Sequence, residues 1–138
     1  MGREVKIITT DDGSHSLYLP ELKESYHSFH GAYRESIHVF MLYGLEAWFM
    51  RNPNRFPIRI FEVGFGTGLN AWLTLVWAEQ YKVPVLYHSI EPFPLEKEIF
   101  DQLNYTEVDT SIYHYAHFFK KLHQSPWDQG LVYSCLLY

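Results

Sequence analysis

Phe61-Glu62-Val63-Gly64-Phe65-Gly66-Thr67-Gly68-Leu69-Asn70 is the stretch of this 138-residue chain whose residue types and spacing could do chemistry. Glycines at alternate positions let the backbone turn sharply and let a ligand approach the main chain. The free amides opening a following helix favour polar or anionic groups, so a nucleotide-type ligand is the natural occupant. A dinucleotide fingerprint, G-x-G-x-x-G, would need Gly or Ala at position 69, where Leu69 stands. A phosphate-gripping loop would end in Gly-Lys-Ser/Thr, and Gly68-Leu69-Asn70 supplies neither cation nor hydroxyl. NAD binding and ATP hydrolysis are both disfavoured. Glu91 closes the next apolar run, 23 residues after Gly68, near the spacing of about 20 at which an acid meets ribose hydroxyls in dinucleotide folds.

The elements that must position these residues follow from apolar periodicity. Ile58–Val63 is a β-branched and apolar run, the glycines form a tight turn, and Leu69–Tyr81 is an apolar periodic helix. After Lys82-Val83-Pro84, Val85–Ile90 is a second strand, stopped by Glu91-Pro92-Phe93-Pro94. This is a βαβ unit, so the fold class is α/β with a parallel sheet, expected to be buried on both faces. Upstream, Val5, Ile7 and Leu17, Leu19 flank Asp11-Asp12-Gly13-Ser14 and predict a β-hairpin. Between hairpin and first sheet strand, Ile37, Phe40, Met41, Gly44, Leu45 and Trp48 share one face of a helix ending near Arg51. Residues 95–103 and 111–123 read as helices, and residues 131–138 as a third strand.

Composition bounds the remainder. With 47% hydrophobic residues and a net charge of −5, the chain has apolar mass for one core and lacks a broad basic surface for nucleic acid. Arg51, Arg55, Arg59 and Lys120-Lys121 are its local positive charges, read as a solvated face. Cys135 is the single cysteine, which excludes an intrachain disulfide and points to a reducing, cytoplasmic setting. The longest apolar stretch, residues 69–78, is interrupted by Asn70 and Thr74, so neither secretion nor membrane spanning is expected. His27-x-x-His30 has no third ligand at a familiar spacing, and no metal site is expected.

The E-x-G-x-G-x-G pattern with Glu91 resembles the first motif of the S-adenosylmethionine-dependent methyltransferases with a Rossmann-like sheet. Further blocks are more specific: Asp12-Gly13-Ser14-His15-Ser16-Leu17-Tyr18, Tyr26-His27-Ser28 with Gly31-Ala32, Glu35-Ser36, and Leu103-Asn104-Tyr105. They resemble the tRNA 5-aminomethyl-2-thiouridine methyltransferases, the MnmC-like or MnmD-like group, over residues 9–138. The resemblance implies methylation of the aminomethyl group of a modified wobble uridine in tRNA, with S-adenosyl-L-methionine as cofactor. It implies a Rossmann-like class I methyltransferase fold over residues 58–138, preceded by the hairpin and helix of residues 1–57, in a single domain. It also implies a cofactor pocket lined by Glu62, Gly64, Gly66, Gly68, Asn70 and Glu91, with Tyr18, Tyr26, His27, Ser28 and Glu35 capping or shaping it.

The resemblance breaks before the family's Asp-Ala-Phe-Ala-Pro-like block, which carries its catalytic acid and is missing from this sequence. The expectation is a domain incomplete at its C-terminal end, with no assigned catalytic residue; Asp128 is read as a surface turn. A sheet stopped at its first half leaves an apolar edge open, so a homo-oligomer or a partner covering that edge is expected. Two other readings stand beside the tRNA enzyme: a catalytically incomplete cofactor-binding fragment, and a methyltransferase for a small-molecule amine, which the acidic pI favours.

Overall fold

The computed structural model describes residues 3–127. Residues 131–138, read above as a strand, and Asp128 and Cys135 lie outside the described residues. The chain begins with β1 (Lys6–Thr9), β2 (His15–Leu19) and β3 (Glu24–Ser25), an antiparallel sheet in the order β1-β2-β3. The first two strands are the expected hairpin, with Lys6 opposite Tyr18 and Thr9 opposite His15. The two-residue β3 was not legible, because Glu24-Ser25 carries no strand pattern of its own.

The hairpin turn has a second task. Asp12 Oδ1 accepts from Thr10 Oγ1, the Ser14 amide and Ser14 Oγ at 2.6–2.9 Å. Across the turn, the amides of Ala32, Tyr33 and Arg34 donate to Thr10 Oγ1, Ser14 Oγ and Asp12 Oδ2 at 3.1, 2.9 and 2.9 Å. These are the orphan N–H groups of the helix that follows, so the turn is its cap. Burial pushes the Asp12 carboxyl up, but the bonds from Ser14, Arg34 and Thr10 outweigh it and the pKa falls below the usual carboxylate value. Its contribution is therefore present above that ordinary value and lost as pH drops through the lowered one. Asp12→Ala is expected to cost about 2 kcal/mol at pH 7, read as a shift in urea midpoint at unchanged slope.

The capped helix runs as α1 (Ala32–Glu35), a π-wound segment (Ser36–Glu46) and α2 (Ala47–Arg51). Its end at Arg51 matches the sequence reading, but its buried face does not. Ala32, Ser36, Met41 and Leu45 point inward, with Phe40 and Phe49 half-buried, while Ile37, Gly44 and Trp48 are exposed. Steps of four, five and four residues between the buried positions are what an i→i+5 winding gives, whereas the expectation assumed 3.6 residues per turn.

The second unit is β4 (Ile58–Val63), α3 (Leu69–Tyr81) and β5 (Val85–Ile90), with β4 and β5 parallel and Ile58 opposite Val85. All three have the bounds read from sequence. Nine of the thirteen residues of α3 are buried, because the helix lies between the π-wound segment and α6 (Ala116–Gln124). The 95–103 helix is only α4 (Lys97–Phe100), the sequence reading missed α5 (Tyr105–Val108), and the 111–123 helix begins as a 3-10 segment, Thr110–Tyr115, before α6.

One expectation is overturned. Among the described residues the β4–β5 sheet is covered on one face only, by way of Ile58, Ile60, Val85 and Tyr87. Phe61 and Val63 on the other face are 67% and 76% exposed, and Leu86 and Ile90 beside them are exposed too. The apolar composition that suggested helices on both sides is present, but among the described residues only one layer of helix meets it.

Candidate active site

The site grows from the carboxyl end of β4, where the chain leaves the sheet and enters α3. Gly66 has φ +57° and Gly68 φ +77°, left-handed values that only glycine adopts without strain. Space is also short: a Cβ on Gly66 would lie 3.1 Å from Tyr26 Cδ2, and one on Gly68 would lie 2.7 Å from Phe65 Cζ and 2.9 Å from His123 Nε2. The loop is thus pressed by Tyr26 on one side and by Phe65 and His123 on the other.

The loop amides face inward. Those of Gly64 and Phe65 donate to the Ile90 carbonyl at 2.8 and 3.3 Å, Gly68 donates to the Phe65 carbonyl, and Gly66 donates to Glu91 Oε2 at 2.8 Å. The Phe93 amide donates to Glu91 Oε1 at 2.9 Å. Glu91 therefore clamps the glycine loop to the end of β5, and each carboxylate oxygen keeps lone-pair capacity for a further donor. With these four amides engaged, the loop is poorly suited to gripping a phosphate.

Beside the loop opens a cavity of about 450 Å³, lined by Tyr26, His27, Glu35, Ser36, Glu62, Gly64, Gly66 and Asn70 among others. Seven of the residues expected at the site therefore share one cavity: Glu62, Gly64, Gly66, Asn70, Tyr26, His27 and Glu35. Glu91 reaches it through the Gly66 amide and Gly68 caps α3 behind it. Ser28 donates its amide to Glu35 Oε2 at 3.2 Å and so acts behind the wall. Tyr18 is not among the lining residues; it lies on β2 opposite Ser25. The site residues come from four elements that only the tertiary fold brings together.

The cavity is rich in acceptors. Glu62 Oε1 accepts from Ser89 Oγ at 2.8 Å, and Asn70 Oδ1 is buried with no hydrogen-bond partner among the described residues. Burial raises the Glu62 pKa above its ordinary value, a rise that Ser89, Tyr87 and Asn70 oppose and the Glu91 charge reinforces. Tyr26, also raised by burial and then by Glu91, divides this cavity from a second of about 510 Å³ lined by Arg3, Phe93, Leu95 and Ile99. Burial lowers the His27 pKa to about 4, and the ring meets Ser16 Oγ at 3.1 Å, so it is neutral at pH 7.

His123 is a site residue that sequence reasoning missed. Its Nε2 donates to the Thr67 carbonyl at 2.8 Å from 56 residues away, and its ring stacks on Phe100. Burial lowers its pKa to about 4 despite that bond. No local signal could have singled it out among eight histidines.

Fold and cavity together define an α/β protein with a parallel βαβ unit and a cavity at the carboxyl end of its first strand. Among solved structures, MNMC2 from Aquifex aeolicus is similar, with 28% sequence identity and a TM-score of 0.53 over 83% of this chain and 37% of that one. The chain is related to the MnmC-like proteins, and spans little more than a third of the length of that relative. No protein-family model and no curated protein matches it. Among the described residues no helix is long and apolar enough to cross a membrane.

Proposed function

We propose that the chain binds S-adenosyl-L-methionine in the Glu62–Asn70 cavity and serves methyl transfer to the aminomethyl nitrogen of a modified wobble uridine in tRNA. The observation that carries the cofactor reading is the chemistry of the donor set. The amides of Gly64, Phe65, Gly66 and Gly68 are engaged within the protein, while Glu62 and the unpartnered Asn70 Oδ1 offer acceptors, which suits a cationic nucleoside better than a nucleotide phosphate. Glu91 would accept from the ribose hydroxyls with the lone pairs its two amides leave, and Glu62 and Asn70 would face the amino-acid end. When bound, the cofactor supplies an activated methyl group. The relation to MnmC-like proteins supports the acceptor, a tRNA amine.

The chain's own residues would orient rather than react. Tyr26 holds the glycine loop from outside and Ser28 fixes Glu35. The attacking amine must be unprotonated, which calls for a carboxylate or dipole beside it. A second reading, a cofactor-binding module whose catalytic group is supplied from elsewhere, is favoured by the exposed apolar residues Phe61 and Val63 on β4 and Leu86 and Ile90 on β5.

Calorimetric titration with S-adenosylhomocysteine tests the cofactor reading. Saturable binding is expected from the full chain and none from Gly66→Val, whose side chain meets Tyr26 and strains the loop. A folded wild-type chain that takes up no ligand would refute the reading. Methyl incorporation into tRNA lacking the modification separates enzyme from binding module.

A further inference from the structure

Glu62 and Ser89 are directly opposite each other in the β4–β5 register. Because paired residues of adjacent strands point to the same face, the register alone brings the two side chains together beneath the cavity. The Ser89 hydroxyl donates to Glu62 Oε1 at 2.8 Å. Two further groups surround this carboxylate. Asn70, in the first turn of α3, interacts with it, and Tyr87 stands two residues before Ser89 on the same face of β5. The Tyr87 hydroxyl is buried beside the same carboxylate. Ser89 makes the short, well-formed bond to this carboxylate, and Tyr87 and Asn70 are its other hydrogen-bonding neighbours.

We propose that Ser89 is a positioning residue, holding Glu62 across the strand pair so that its carboxylate meets the ammonium group at the amino-acid end of the cofactor. This rests on the cofactor reading above. A half-buried carboxylate without that bond keeps its charge but loses its aim, and a charge-assisted contact depends on aim. The serine is not part of the glycine motif, and nothing in its own neighbourhood of sequence marks it.

Two ligands separate positioning from packing. S-adenosylhomocysteine carries the ammonium group, whereas 5′-methylthioadenosine shares the nucleoside and thioether but lacks the amino-acid end. For Ser89→Ala in the full chain, the dissociation constant for the first is expected to rise about tenfold, with that for the second unchanged within about twofold. Ser89→Thr, which restores a hydroxyl on a β-branched strand residue, is expected to recover most of the loss. In the Glu62→Gln background Ser89→Ala is expected to add nothing further. Equal weakening of both ligands, no weakening of either, or failure of the threonine rescue would each overturn the proposal while leaving the cofactor reading standing. Failure of the unmutated chain to bind S-adenosylhomocysteine would overturn both.

Discussion

Trp72→Ala is expected to destabilise the protein by about 3–5 kcal/mol, a large fraction of the roughly 5–15 kcal/mol that holds a domain folded. Trp72 is fully buried in α3, its ring packs edge-on to Phe119, and its indole N–H donates to the Tyr115 carbonyl at 3.2 Å. Truncation removes the apolar contact, opens a cavity between α3 and α6, and strands a carbonyl. Trp72→Phe keeps most of the ring and should cost less than half as much. Because Leu69 and Asn70 line the ligand cavity one turn earlier, the alanine variant is also expected to weaken ligand binding. Chemical denaturation of the two variants measures the difference; similar losses would show that the indole N–H, not the volume, dominates.

Acid is expected to unfold the protein in a window set by two histidines. His27 and His123 are both held neutral by burial, with pKa values near 4 against an ordinary 6.5. The unfolded chain binds those protons first as pH falls, so their contribution is complete above about pH 6.5 and is lost between there and pH 4. Each group accounts for roughly 3 kcal/mol at pH 4, and together they approach the stability of the whole domain. Asp12 acts in the same direction but only at still lower pH, since its own pKa lies below the carboxylate value. Urea midpoints at pH 7, 5.5 and 4.5 should fall steeply, and more shallowly in His123→Asn, which starts from lower stability at pH 7. A flat profile in the wild-type chain would contradict the burial of both rings.

The parts of the fold that were legible are those where periodicity and punctuation agree. β4, α3 and β5 were bounded correctly because apolar runs are stopped by glycine or proline at each end. The long helix was given the right end at Arg51 and faced wrongly, since a seven-residue spacing such as Ile37 to Gly44 carries no sign that the backbone winds i→i+5. The apolar strands were over-read: Phe61, Val63, Leu86 and Ile90 have the composition of residues covered on both sides, and composition cannot say which cover is present. At the site, the glycines, Glu62 and Glu91 are marked by their spacing. Ser89 and His123 are not, because one depends on strand register and the other on a contact between α6 and the glycine loop. Asp12 and Ser14 belong to a block that stood out in the sequence, yet their observed work is to cap a helix rather than to touch a ligand.

Asn104 accepts from the His15 amide and donates to the Gly13 carbonyl, and the Tyr105 hydroxyl donates to the His15 carbonyl at 2.7 Å. These bonds join the N-terminal hairpin to a segment some ninety residues later. The hairpin's polar groups are therefore matched only once a segment some ninety residues further along the chain has folded back onto it, and until then the His15 amide and carbonyl on β2 are without those partners. Contacts of such sequence separation slow the search for the native state. Production at reduced temperature, where synthesis and aggregation both slow, should thus raise the yield of folded chain more than a change of solvent applied after folding is complete.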